Sequence, residues 1–198
     1  MLVTNKAPDF TATAVLHDNQ IVDNFNLYEN FGKKGTVLFF YPLDFTFVCP
    51  SEIIAFDKRL EEFKKRGINV IGVSVDSQFS HFAWKNTDVN QGGIGQVKFP
   101  LVADLSKNIA RDYDVLLNNA VALRGSFLID TDGTVRHAVV NDLPLGRNID
   151  EMLRMIDAML FTNEHGEVCP AGWSDGKAGM KASTDGVAEY LSSHSDDL

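Results

Sequence analysis

The sequence predicts an α/β domain: a mixed central sheet with helices on both faces, followed by an extended C-terminal arm. Three observations carry this reading. A continuous apolar run at Thr36–Tyr41 is followed by a helical stripe and a second apolar run at Ile68–Asp76, a strand–helix–strand unit that calls for a parallel pair. Two strand-like runs, Ser126–Asp130 and Val135–Val140, flank Thr131-Asp132-Gly133, a strong hairpin signal. Ile149, Met152, Leu153, Ile156, Met159 and Leu160 then recur at helical spacing.

Taken in order, Thr36–Tyr41 reads as a buried strand because an unbroken apolar run suits a strand covered on both faces, and Pro42 ends it. Ser51–Arg66 reads as a helix with Ile53, Phe56, Leu60 and Phe63 on one face. Lys64, Lys65 and Arg66 complement its C-terminal dipole and Gly67 stops it. Pro50 suits the first helical position, which places Cys49 at or beside the N-cap. Phe79–Asn86 is a short helix carrying Phe82, Ala83 and Trp84; Phe99–Ala103 is a short strand, and Ser106–Tyr113 another helix. Beyond Thr162 the composition shifts to Gly, Ser, Asp and Lys. Residues 1–162 are therefore expected to form the domain, and 163–198 an arm with a short helix near Val187–Leu191. Strands and helices in this order suit a thioredoxin-like arrangement.

Composition excludes several functions. At 198 residues, 44% hydrophobic and 23% charged, the chain suits one domain with a real core. Its net charge of −9 is spread along the chain and repels phosphate backbones, so no nucleic-acid partner is expected. No run of ~18 apolar residues is present to span a membrane. The start, Met1 to Pro8, lacks a basic segment followed by an apolar one, so no secretory signal is read and cytoplasmic residence is the default. Two cysteines in a reducing compartment are poor evidence for a structural disulfide. His165 stands four residues before Cys169, but no second Cys/His pair completes a metal site, and His17, His81, His137 and His194 are scattered. No metal and no cofactor are expected. Asp130-Thr131-Asp132-Gly133 begins like a calcium loop without its later glutamate, and Gly92-Gly93-Ile94-Gly95 lacks the Gly-Lys-Ser/Thr of a phosphate loop.

What remains is thiol chemistry. Cys49 sits where a strand gives way to a helix, and the free backbone N–H groups of a helix start favour an anion. A free thiol ionises near pH ~8.5, so it is only a few per cent thiolate at neutrality. Two units of preference for the anion require about 2.7 kcal/mol. A helix terminus supplies roughly 0.3–1 kcal/mol, up to about 2 in favourable geometry. The dipole falls short, so a specific, buried cation should stand beside the sulfur.

The segment Pro42-Leu43-Asp44-Phe45-Thr46-Phe47-Val48-Cys49-Pro50 resembles the active-site signature of peroxiredoxins, and Gly166-Glu167-Val168-Cys169-Pro170-Ala171-Gly172-Trp173 resembles the resolving-cysteine segment of their typical two-cysteine subfamily. Segments 98–104, 124–130 and 141–147 are also similar, so the likeness spans roughly residues 5–175. The resemblance implies a thiol-dependent peroxidase acting on hydrogen peroxide and alkyl hydroperoxides. Cys49 would be the peroxidatic cysteine, Arg124 its cation, Thr46 the hydroxyl that bonds thiolate and substrate, and Pro42 the ring that shields the site. Glu52 and Arg147 would form a supporting network, and Cys169 of a partner subunit would resolve the sulfenic acid as an intersubunit disulfide. A thioredoxin-type or flavoprotein-disulfide reductase would recycle it, and the homodimer would often assemble into a decamer. Gly92-Gly93-Ile94-Gly95 also resembles an insertion linked to slow unwinding and over-oxidation, whereas Tyr190 precedes Leu191 where sensitive forms carry Phe. An intermediate sensitivity is the expectation.

Rival readings are weaker. A thiol–disulfide oxidoreductase needs a second cysteine two residues from the first, and no Cys-x-x-Cys is present. A cysteine hydrolase needs a base histidine that no segment supplies. A holdase chaperone or structural ring need not depend on Cys49, so Cys49→Ser separates it from peroxidase action; a redox-signalling role of the assembled ring is a further alternative.

Overall fold

A computed structural model describes residues 1–197. The chain divides into two compact units, Met1–Ile149 and the residues from Asp150 on. In the first, a seven-stranded sheet has the order β2-β1-β5-β4-β3-β8-β9. Its strands are β1 (Thr11–Val15), β2 (Ile21–Asn26), β3 (Gly35–Phe40), β4 (Ile68–Ser74), β5 (Leu101–Ala103), β8 (Arg124–Ile129) and β9 (Val135–Asn141). A separate two-stranded ribbon joins β6 (Leu116–Leu117) and β7 (Val121–Ala122).

The expected parallel unit is present: β3 pairs with β4 and β4 with β5, all parallel, while β8 and β9 add the antiparallel hairpin. Both parallel crossovers advance in the same direction along the sheet, so right-handed connections place their helices on one face. These helices are α1 (Cys49–Lys58), α2 (Leu60–Lys65) and α3 (Gln78–Lys85). All six residues of β3 are buried, as its apolar run requires. Its alternation sends Leu38 and Phe40 into a core shared with Ile71, Val73, Val102 and Phe127. Phe39 faces the other way, stacked on Phe56 of α1 with centroids 4.2 Å apart.

Five differences from the sequence reading have local causes. The helix read as Ser51–Arg66 is two helices, because the Arg59 N–H bonds the Phe56 carbonyl three residues back and tightens one turn. The β1–β2 hairpin was not expected: its turn is built on Asn19 at φ 67° and on Asp18, without the usual Asn-Gly pair. The helix read from Ser106 starts only at Asn108, as α4 (Asn108–Asp112), because Lys107 is left-handed and the Asp104 carboxylate takes the N–H groups of Ile109 and Ala110. In the second unit the stripe helix continues past Leu160 as α5 (Ile149–His165), ended by Gly166 at φ 67°. There the short helix near Val187–Leu191 is the longer α6 (Thr184–His194), capped by Ser183 through the Gly186 N–H. Among the described residues no helix is long and apolar enough to cross a membrane.

Candidate active site

The first unit carries the site at the end of β3. Tyr41 and Pro42 follow the strand, both buried, and a loop of six residues leads into α1. Cys49 is the first residue of that helix and Val48 its N-cap, so the thiol stands beside the cap rather than at it. Cys49 is fully buried and unbonded, as a free thiol.

Two side chains reach its sulfur. The Thr46 hydroxyl lies 2.9 Å from Sγ and 2.8 Å from the Leu43 carbonyl oxygen. With one proton, that hydroxyl donates to the carbonyl while the thiol donates to it, or donates to a thiolate once the thiol proton has gone. Arg124 brings Nη1 to 3.4 Å from Sγ, and this is the buried cation that the energetics demanded. The same Nη1 donates to Glu52 Oε2 at 2.6 Å, and Nε donates to the Leu143 carbonyl at 2.7 Å. These bonds fix the plane of the guanidinium without consuming all its donors.

Behind Arg124, Glu52 and Arg147 form a two-pronged pair: Arg147 Nε to Oε1 at 2.8 Å and Nη2 to Oε2 at 3.0 Å, with the Arg147 N–H also on Oε1 at 2.9 Å. Arg147 Nη1 donates to the Phe40 and Gly125 carbonyls, on β3 and β8, tying the network to two sheet strands. Burial opposes ionisation of Glu52, but the hydrogen bonds and charge of Arg147, joined by Arg124, outweigh it and hold the carboxyl below its ordinary range. Burial also pulls Arg147 below its ordinary value, with Glu52 opposing. Two guanidiniums against one carboxylate leave one net positive charge at the sulfur.

Sequence reasoning missed a second network that shapes the loop. The Asp44 carboxylate accepts from Tyr41 and Ser80 hydroxyls at 2.8 Å each, lies 2.8 Å from His81 Nδ1, and is almost fully buried. The Asp44 N–H donates to Asp76 Oδ2 at 2.8 Å. Burial first, and the charge of Asp44 second, raise Asp76 above its usual value. With Asp44 pinned, Phe45 adopts φ 53°, an uncommon conformation for an aromatic residue, and the next residue is Thr46. The signal was the aspartate inside the motif itself; Asp76 just past β4 and Ser80 and His81 on α3 are far along the chain, and only folding brings them in.

Thus Cys49, Thr46, Arg124, Glu52 and Arg147 converge, and Pro42 is buried at the strand end. Cys169 belongs to the second unit, where its partly exposed sulfur lies 3.6 Å from the Ala158 carbonyl and 3.7 Å from the Thr162 hydroxyl of α5. Gly92–Gly95 folds against α3: the indole N–H of buried Trp84 bonds the Gly92 carbonyl at 2.9 Å, so Trp84 is a packing residue.

A buried thiol held by a hydroxyl and an arginine, on a thioredoxin-like sheet, defines a class of thiol enzymes. The AhpC/TSA family model matches residues 3–138, and that of the C-terminal domain of 1-Cys peroxiredoxin matches residues 158–193. Alkyl hydroperoxide reductase C of Helicobacter pylori is 66% identical over 195 residues, covering 98% of each chain. Mouse peroxiredoxin-2 is 51% identical over 193 residues, covering 97% of this chain and 96% of that one. The reduced 2-Cys peroxiredoxin of Plasmodium vivax superposes with a TM-score of 0.94 at 50% identity, over 97% of this chain and 99% of that chain. The chain belongs to the AhpC/TSA family and is a peroxiredoxin, a thiol-dependent peroxidase.

Proposed function

We propose that Cys49 is the peroxidatic residue and that hydrogen peroxide and alkyl hydroperoxides are its substrates. The observation that carries this is the arginine–sulfur–hydroxyl cluster with its one uncompensated positive charge. The thiolate attacks one peroxide oxygen: an S–O bond forms, the O–O bond breaks, the sulfur loses two electrons, and the leaving oxygen takes a proton to depart as water or alcohol. Arg124 Nη1 and the Thr46 hydroxyl are donors aimed where charge grows on the separating oxygens, and such donors act with little reorganisation in a dry site. Glu52 and Arg147 hold Arg124 in that pose, and buried Pro42 limits water at the sulfur.

Cys169 of a partner subunit then attacks the sulfenic acid, displacing water and forming an intersubunit disulfide. Such a bond needs Cα atoms within ~7 Å, so the start of α1 and the Cys169 segment unwind locally first. A thioredoxin-type or flavoprotein-disulfide reductase returns both thiols in the cytoplasm. Phe79 and Phe82 on α3 are 69% and 41% exposed, and Phe45 (52%) packs its ring beside Trp84 of the same helix. A second dimer covering this aromatic patch would lead to a decamer. The decisive assay is thioredoxin-coupled peroxide reduction by wild type and Cys49→Ser: the substitution should abolish turnover, and activity surviving in it refutes the assignment.

A further inference from the structure

We propose that Arg154 is a positioning residue for the second thiol: it clasps the Cys169–Trp173 segment onto α5 and sets how readily that segment leaves for resolution. The proposal rests on the reading of Cys169 as the resolving cysteine. Arg154, Ala158 and Thr162 succeed one another at intervals of four along α5, which makes one stripe of the helix. Cys169 Sγ lies on that stripe, at 3.6 Å from the Ala158 carbonyl and 3.7 Å from the Thr162 hydroxyl.

At the N-terminal end of the stripe, Arg154 grips Glu151 with two bonds of 2.7 Å, and its remaining arm, Nη1, donates to the Trp173 carbonyl at 2.6 Å. Between these points the chain is short and closed on itself: the Trp173 N–H bonds the Pro170 carbonyl, and the buried indole rests 4.8 Å from the Phe161 ring. Cys169 therefore cannot move far while the Trp173 carbonyl is held. The Glu151 hydrogen bonds raise Arg154 above its ordinary value, and burial opposes them. Glu151 alone would be an ordinary exposed helix pair of little consequence. Its use here is to aim the guanidinium so that the third contact is made.

The consequence is a choice of fate for Cys49. In resolution, the Cys169 sulfur attacks the sulfenic sulfur, an S–S bond forms, the S–OH bond breaks, and water leaves with the thiol proton. In the competing step the sulfenate attacks a second peroxide: a second S–O bond forms, the O–O bond breaks, the sulfur loses two more electrons to reach the sulfinic acid, and the distal oxygen takes a proton and leaves as water or alcohol. A clasp that delays the first step favours the second.

Arg154→Met keeps the bulk and removes the donors. In the full chain with hydrogen peroxide, it should form the disulfide roughly tenfold faster, as loss of a charge-assisted bond implies. Sulfinic acid on Cys49 per turnover, read by intact mass, should fall in proportion, and the rate of sulfenic acid formation should be unchanged. Arg154→Lys, which can still reach one carbonyl, should return toward wild type, and Glu151→Gln should fall between. A disulfide step unchanged or slower in Arg154→Met, or no recovery with lysine, overturns the proposal. Should Arg154→Met fail to fold, Glu151→Gln decides by the same sign. If wild type forms no intersubunit disulfide, the reading of Cys169 fails instead; the clasp is then judged by amide hydrogen exchange at residues 169–173, which the substitution must accelerate.

Discussion

Around one sulfur atom, the arrangement of charge decides what chemistry is open. Arg124 reaches Cys49 Sγ and Glu52 with the same nitrogen, so its position is set by the carboxylate and its surplus charge is spent on the sulfur. Arg124→Met should lower the second-order rate with peroxide by about 100-fold or more, the range for loss of one preorganised donor at a developing charge, in single-turnover stopped flow. Glu52→Gln leaves two buried guanidiniums facing each other without a carboxylate, and breaking such a cluster costs about 3–5 kcal/mol at neutral pH by denaturant unfolding. The folded carboxyl is depressed, so its contribution is full above the ordinary carboxylate range and is lost as pH falls through the lower folded value. The stability gap between wild type and Glu52→Gln should accordingly shrink on acidification; a gap independent of pH would show that the charge is not its source. At this scale the motif named Pro42, Thr46 and Cys49 because they are close in sequence. Arg124 and Arg147 were found only through resemblance, since a lone arginine has no local pattern that separates a buried ligand of a thiol from a solvated side chain.

Elements matter here as supports. β3 delivers the loop, α1 presents the sulfur, and the Asp44 cluster ties the loop to α3 through Ser80 and His81 and, through Asp76 and its bond from the Ser74 hydroxyl, to the end of β4. Asp44→Ala removes an acceptor serving three groups, of which Tyr41 and His81 are fully buried, and should destabilise the fold by about 2–3 kcal/mol in urea. It should also slow peroxide reduction, because Phe45 would relax from its left-handed backbone and carry Thr46 off the sulfur; unchanged turnover would show that the loop holds itself. Periodicity exposed the strongly patterned elements: the apolar β3, the Asp-Gly hairpin of β8 and β9, and the stripe of α5. It overlooked β1 and β2, whose outer face is polar and whose turn uses Asn19 without a following glycine. It also joined α1 to α2, since one tightened turn at Arg59 leaves the apolar spacing intact.

For the whole molecule, the two units hold one thiol each, and the proposed cycle needs both. Cys169→Ser should eliminate the peroxide-induced covalent dimer on a non-reducing gel while leaving the first oxidation of Cys49 unaffected. A dimer that persists would assign the bridge to another pair. Phe79→Asp, on the exposed aromatic patch, should shift the sedimentation of the reduced protein from the proposed decamer toward dimers, with little loss of fold stability because Phe79 is 69% exposed. An unchanged sedimentation profile would place the assembly contact elsewhere. By itself the chain's order of residues determined the α/β class, the parallel strand–helix–strand unit and the placing of Cys49 at a helix start. These follow from period, punctuation and charge within short windows. Tertiary structure alone decided that Arg124 and Arg147 converge on Glu52, that Asp44 is the anchor of the loop, and that Arg154 grips Trp173. Such pairings join residues far apart in sequence or make use of backbone carbonyls, and only the packed chain brings them within hydrogen-bonding distance.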